Sequence, residues 1–303
     1  MGLVILTVAA VGLAYTFAKL RPAPDPGTLV YAGRQGVYAN DLSGSGTGRK
    51  VADLPDDVEA AMPSPDGEHV AYVLGQGELW IATVGSEERF QVSQRFTFPL
   101  GWSPDGRFIA EELLSDRDLV AIDPDGGRDV LLSGGHLSGS QPVWIDEDRF
   151  AIAVDEDRFA IVDGTERGDP IDGRPLAASP DGAELLVAAD EKVVVGEVDG
   201  DAMTGIRELY GKAAAFAATS PGGFVAIATD EEVRVFEGGT KSRRVVDRPV
   251  DWVGWTRRGA VLLYAYDGAA YALDLGAEAE ADPMRVTKRG VDVLPLLSFS
   301  VVP

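Results

Sequence analysis

The tetrapeptide Ser-Pro-Asp-Gly stands at Ser64–Gly67, Ser103–Gly106 and Ser179–Gly182, with looser copies at Ser220–Gly223 (SPGG) and Thr256–Gly259 (TRRG). A sixth copy is hidden in WIDEDRF, Trp144–Phe150, which lies over WSPDGRF, Trp102–Phe108, and puts Ile145 in the serine place. Anchored at 64, 103, 145, 179, 220 and 256, the copies are 39, 42, 34, 41 and 36 residues apart. A period of about forty residues is the length of one four-stranded β-propeller blade. The phrase has a physical use: proline presets φ for the first corner of a turn, aspartate bonds its own backbone, and glycine accepts positive φ. It reads as a hairpin corner.

Working outward, each corner is followed by two short apolar runs separated by a polar break: HVAYVL then ELWIATV, RFIAEEL then LVAIDPDG, FVAIATD then VRVFEGG. These are predicted to be the second and third strands of a blade. DEDRFAI occurs twice, at Asp146–Ile152 and Asp155–Ile161, as neighbouring antiparallel strands would explain. Before the corners lie VEAAMP, TFPLGW, LAAS and VDWVGW, predicted first strands, in which Trp102, Trp144 and Trp255 share one place. Those tryptophans are expected to pack blade against blade rather than to stack on a ligand.

The two ends of the repeat region complete each other. Residues 28–54 (TLVYAG, GVYANDL, RKVADL) look like second, third and fourth strands, and VDVLPLLSFSVVP at 291–303 looks like a first strand. Joined, they make one shared blade, which removes exposed sheet edges. The expectation is an all-β fold over residues 28–303, a propeller of four-stranded blades closed by N- and C-terminal strands. Six anchors plus the shared blade make seven; the irregular third repeat leaves six or eight open.

The WSPDG corners, the strand that follows them and the aspartate-glycine break at Asp123–Gly127 resemble the TolB-like family of β-propeller repeats over roughly residues 28–303. The resemblance implies a rigid disc for protein–protein contact, usually outside the cytoplasm. Such repeats serve scaffolds, peptidases and sugar-active enzymes alike, so the fold does not name the chemistry.

At 45% hydrophobic over 303 residues the chain can bury a large core, and 36 Gly and 18 Pro spread along it suit many tight turns. The absence of cysteine excludes disulfides, thiolate metal sites and cysteine nucleophiles. A net charge of −22 opposes nucleic-acid binding, which needs Lys and Arg to displace phosphate counterions. Residues 1–202 hold 15 Lys+Arg and 36 Asp+Glu, against 12 and 13 in 203–303. The acidic part reads either as a docking surface for a basic partner or as a surface that keeps the protein soluble.

From Gly2 to Ala18 no residue is charged, enough for a helix at the lower limit of a membrane span. Residues 1–20 are expected to be one transmembrane anchor helix and residues 21–27 (RPAPDPG) a Pro-rich linker. A signal peptide cut after Ala18 is the competing reading. The family resemblance implies an extracytoplasmic propeller, whereas Lys19 and Arg21 favour the cytoplasmic side by the positive-inside tendency.

No catalytic, cofactor-binding or metal-ligating residue is assigned, and no cofactor is expected. His69 and His136 are the two histidines any zinc site or Ser-His-Asp triad would need, and no Gly-x-Ser-x-Gly elbow exists. The run SGSGTG at Ser43–Gly48 joins predicted strands and reads as a hairpin loop. Acid clusters at Asp53–Glu59, Asp123–Asp129, Asp146–Asp148, Asp155–Asp157 and Asp199–Asp201 lack EF-hand spacing and read as solvated turns. Basic patches at Lys241–Arg244, Arg257–Arg258 and Lys288–Arg289 could face an acidic partner or anionic lipid.

The function expected is therefore a non-catalytic, membrane-tethered interaction scaffold or accessory subunit of a membrane-associated complex. It would be held by residues 2–18 and contact a protein partner. The alternative is an enzyme or a small-ligand or metal-binding propeller that uses the central channel. Among the predicted first strands Glu59 and Asp251 are the chief acids available for it.

Overall fold

The computed structural model describes residues 27–302 apart from 34, 43–47, 76, 94–96, 113–116, 135, 137–140, 239–240, 257–260, 276–282, 288 and 290–298. The anchor expected over 1–20 and the linker through residue 26 lie outside the described residues. Among the described residues every regular element is a strand, and no helix is long and apolar enough to cross a membrane.

The chain opens with β1 (Thr28–Gly33), β2 (Gly36–Asp41) and β3 (Arg49–Ala52). Six runs then follow in chain order. Blade 1 is β4 (Val58–Pro63), β5 (His69–Leu74), β6 (Leu79–Thr83) and β7 (Arg89–Ser93). Blade 2 is β8 (Thr97–Trp102), β9 (Phe108–Glu112), β10 (Asp118–Ile122) and β11 (Arg128–Ser133). Blade 3 is β12 (Val143–Trp144), β13 (Arg149–Ala153), β14 (Arg158–Asp163), β15 (Glu166–Arg167) and β16 (Ile171–Asp172). Blade 4 is β17 (Arg174–Ala178), β18 (Glu184–Ala189), β19 (Lys192–Asp199) and β20 (Ala202–Tyr210). Blade 5 is β21 (Phe216–Thr219), β22 (Phe224–Ala228), β23 (Val233–Glu237) and β24 (Lys241–Val246). Blade 6 is β25 (Trp252–Trp255), β26 (Val261–Tyr266), β27 (Ala269–Asp274) and β28 (Met284–Arg285). Last comes β29 (Phe299–Val302), which pairs antiparallel with β1, Thr28 opposite Val302 and Tyr31 opposite Phe299.

Blade 7 is thus shared between the ends, in the order β29-β1-β2-β3. Seven blades is the count the repeat predicted, and the six- and eight-blade alternatives fall away. The predicted first strand over 291–303 is a strand at Phe299–Val302; residues 290–298 lie outside the described residues.

Packing shows that the ring is closed. Each of seven apolar clusters draws on two successive blades. Leu263, Ala270 and Ala272 of blade 6 meet Leu29, Tyr31 and Tyr38 of blade 7. Val30, Ala32 and Val37 of blade 7 meet Val58, Val70 and Tyr72 of blade 1. A strand in the middle of a blade is covered on both faces, and Ile109, Ala121, Ala151 and Ile161 are at most 1% exposed. That is why these strands read as continuous apolar runs rather than strict alternation.

The short third repeat has a local cause. Its fourth strand is two stubs, β15 and β16, both paired to β14, around Gly168-Asp169-Pro170. Proline cannot donate to the ladder. A Cβ on Gly168 would lie 2.7 Å from the Asp201 carbonyl oxygen, so only glycine lets blade 4 approach there. The repeated DEDRFAI does lie on adjacent antiparallel strands, Ile152 opposite Ala160.

The tryptophans join blades, as expected, and do so partly through polar bonds. Trp102 Nε1 donates to the Met62 carbonyl at 2.9 Å, and Trp255 Nε1 to the Ala218 carbonyl at 3.1 Å, each in the preceding blade. Trp255→Phe keeps a ring against Phe224, whose centroid is 5.8 Å away, but removes the donor. Its expected cost is about 1 to 2 kcal/mol by urea unfolding. Trp144→Phe, where no such bond exists among the described residues, is expected to cost less; an equal loss would refute the stitch.

Candidate functional site

Successive antiparallel neighbours reverse direction, so the first and third turns of every blade open on one face, and the second turns and inter-blade links on the other. The first strands lie innermost: β12, β17, β21 and β25 touch in succession, and β29 touches β4. The five described corners, with Thr256 at the head of the sixth, therefore ring the axis on one face.

The chemistry of a corner centres on its serine. Ser103 is 0% exposed; its hydroxyl accepts from the Arg107 amide at 3.0 Å and donates to Asp105. Its carbonyl accepts from the Gly106 amide at 3.1 Å. The same set recurs around Ser64 and Ser179, and the glycines Gly67, Gly106 and Gly182 have φ of 74°, 87° and 69°. Ile145 fills the serine place as read from sequence, its amide bonding the Arg149 carbonyl at 2.9 Å as Ser103 bonds Arg107. The aspartate was legible in the sequence as the turn-maker; the buried serine that receives and redirects it was not.

Burial pushes the Asp105 carboxyl up, but the Ser103 hydroxyl and Arg107 guanidinium outweigh it and hold it below the ordinary value. Asp146 is likewise lowered, with Arg149 and backbone amides overcoming burial. Hydrogen bonds from Arg158 and Ser179 lower Asp155 and Asp181. For such groups the stabilising effect is present above the unfolded carboxylate value of about 3.9 and lost as pH falls through the lower folded value. Melting temperature is expected to drop on acidification below about pH 4. In Asp105→Asn the drop is shallower and starts from a lower plateau; an unchanged slope would count against the corner.

Between the corners lies an axial mouth, a depression of about 550 Å³ drawn from blades 2 to 6. Pro104, Pro180 and Pro221 ride its rim, Trp144 and Trp255 wall it, and Asp146, Glu147 and Asp181 supply its charge. Among the described lining residues there is no lysine or arginine. The mouth can therefore hold an extended apolar or aromatic group and attract positive charge.

Other singled-out residues are dispersed. Glu59 and Asp251 are exposed, Glu59 beside Gly75 and the Asp251 amide bonded to the Ala265 carbonyl. Among the described residues no group of three or more His, Cys, Asp or Glu side chains converges on a metal position. His69 follows a corner, and His136 lies in the link between blades 2 and 3. The cluster acids Asp146 and Asp155 hold arginines three residues on, at 2.6 Å in each case. Of the basic patches, Lys241–Arg244 is exposed on β24, where Arg243 bonds the Leu275 carbonyl at 2.9 Å and Arg244 bonds Asp247 at 2.8 Å. Arg289 is exposed, and Arg257, Arg258, Lys288 and most of the SGSGTG run lie outside the described residues.

No family model and no curated protein matches this chain. Solved structures do. The β-propeller domain of Myceliophteria thermophila Cps50 (Swd1) is 16% identical with a TM-score of 0.56, the match covering 79% of this chain and 90% of that one. The C-terminal WD40 domain of Sif2 is 14% identical with a TM-score of 0.56, over 92% and 93%. At these identities the likeness is one of fold, a WD40-type seven-bladed propeller.

Proposed function

We propose that this chain is a non-catalytic interaction scaffold, in which the axial mouth receives a basic segment of a protein partner while residues 2–18 tether the disc to a membrane. The observation that carries the reading is the composition of the mouth: three carboxylates, two tryptophans and three prolines on a rim pinned by the serine hydroxyls of its corners. Such a rim is preorganised, so little ordering cost is incurred when a partner docks. The net charge of −22 supports the same polarity, since a basic partner would be steered toward the disc. The TolB-like resemblance of the corners supports a role in protein contact on the extracytoplasmic side. Tethering raises the local concentration of partners in the same membrane, so a weak interface suffices.

A photo-activatable cross-linker at the exposed position 147 of the full chain in membranes is expected to capture a protein partner, and one at Ile206, exposed on the outer strand β20 of blade 4, is not. In a background carrying Asp181→Lys the adduct falls several-fold, more at low salt than at high salt, as expected of a rim charge. Equal capture at both positions, or none at 147, would remove the mouth as the docking site. Protease accessibility in whole cells and inverted vesicles decides the side: digestion of the propeller in whole cells is expected, and digestion only in inverted vesicles would place it in the cytoplasm.

A further inference from the structure

A second recess opens on the corner face, in the seam between blades 1 and 2, and shares no lining residue with the mouth. Its volume is about 350 Å³, near the small end of the range for ligand pockets, about 300 to 1,000 Å³. His69 at the start of β5, Thr83 at the end of β6 and Glu88–Phe90 at the β6–β7 turn line it from blade 1, and Pro124 and Asp125 of the β10–β11 turn line it from blade 2. Strand alternation decides what these residues present. Ile81 and Phe90 pack in the apolar cluster shared with Phe108 and Ile122 of blade 2, so they form the floor. Gly126 of the blade 2 turn leans on that floor, a Cβ there standing 3.9 Å from the Phe90 ring. Arg89, one residue earlier on β7, sends its charge the other way: its guanidinium lies 5.8 Å from the centroid of Trp80, which packs toward Val30 and Val37 of blade 7.

The lip is acidic. Glu88 and Asp125 are exposed, and neither carboxylate has an ion-pair partner among the described residues. The arginines of the adjoining blade 2 turns are committed elsewhere, Arg107 to Asp105 at 2.7 Å and Arg128 to Glu112. The wall carries a histidine with bonding capacity to spare. His69 Nδ1 is closed to solvent and has no hydrogen-bond partner among the described residues, whereas Nε2, equally without a partner there, is open to the recess. A buried N–H left without an acceptor is the rarer of the two possible arrangements, so a ring hydrogen is assigned to Nε2, where it can donate to an entering oxygen. An anion would meet two carboxylates, and among the described residues no three His, Cys, Asp or Glu side chains converge to hold a metal.

We infer that the recess is a second docking pocket of the corner face and takes an arginine side chain from an extended segment of a basic protein partner. The inference rests on the reading that this face receives such a segment. A guanidinium is planar and carries five donors in a fork, which suits carboxylates on opposite lips, and its flat face stacks on a ring such as that of Phe90. Its methylene stem lies along Ile81 and Pro124. His69 Nε2 donates to a main-chain carbonyl of the same segment. A lysine supplies one point charge and no stacking plane, and so fits less well.

Histidine-selective labelling of the full chain in neutral detergent gives two ring signals, since the chain has two histidines. Titration with arginine blocked as its Nα-acetyl N-methylamide, at constant ionic strength, is expected to shift the His69 signal saturably and to leave His136 in place. Citrulline blocked in the same way keeps the shape without the charge and is expected to cause no shift; blocked lysine is expected to bind several-fold more weakly. Glu88→Gln and Asp125→Asn are each expected to weaken the arginine response several-fold. Both positions are exposed, and asparagine keeps the oxygen that accepts from the Gly127 amide at 3.3 Å. An unmoved His69, an equal shift of both histidines, or equal binding of arginine and either analogue overturns the inference. The comparison of analogues needs no variant, so it decides even if a variant fails to fold. Asp181→Lys in the mouth is expected to leave the His69 response unchanged, which makes failure here and failure of capture at position 147 separate results. In membranes, a photo-activatable cross-linker at the exposed position 87 is expected to capture the protein captured at 147. Capture at 147 with none at 87 overturns the second pocket.

Discussion

Deletion of residues 299–303 is expected to open the ring and abolish the single cooperative unfolding transition. β29 supplies the inner strand of blade 7, and its four residues pair with Thr28–Tyr31 of β1. At about 1 kcal/mol net for each ladder hydrogen bond, the direct loss is about 4 kcal/mol. The indirect loss is larger in kind: β1 becomes an exposed edge whose residues Leu29–Ala32 are otherwise at most 3% exposed. An apolar edge of that sort is a template for pairing with other chains. Calorimetry should show a broadened transition, and light scattering should show association that the full chain does not. A truncated protein that melts in one sharp step at the same temperature would show that the seam does not hold the ring.

Phe159→Ala is expected to cost about 3 to 5 kcal/mol, read from the shift in the urea midpoint at constant slope. Phe159 is 0% exposed on β14 and packs with Ile145, Ala151 and Ile161 of its own blade and Leu185, Val187 and Val194 of blade 4. The upper part of the range is expected because the site cannot collapse. Blade 4 is held from the other side by its packing on blade 5, where Leu186 and Val193 meet Ile227 and Phe236. A residual cavity therefore persists, and its volume adds to the lost transfer energy. Val130→Ala, at a position 45% exposed on the outer strand of blade 2, is expected to change stability by less than about 0.5 kcal/mol. A loss below about 1 kcal/mol at Phe159 would mean that blades shift to fill space.

Much of the fold was legible because the corner is local. Pro180, Asp181 and Gly182 determine their own φ values within four residues, and the apolar runs on either side, such as ELLVAA and KVVVGEV, report burial on both faces. The hidden third corner could be found for the same reason: Asp146 and Arg149 rebuild the turn without serine or proline. The broken outer strand of blade 3 left a trace, the 34-residue step, but nothing in Gly168-Asp169-Pro170 says that it arches against Asp201 rather than dropping a strand.

The candidate sites were much less legible. Trp255 and Ala218, or Thr219 and Ala178, are separated by about one repeat and bond only because two first strands meet at the axis. The mouth joins Pro104 to Thr256, and Glu111 of β9 comes within 4.0 Å of His136 in the link between blades 2 and 3. From the sequence by itself came the repeat length, the turn chemistry and the complementarity of the two ends, since each depends on a few consecutive residues and their backbone preferences. The tertiary structure alone decided which acids share the mouth and which side chains meet across a blade boundary, because those distances are set by how twisted sheets stack around a closed ring, and no short stretch of chain encodes them.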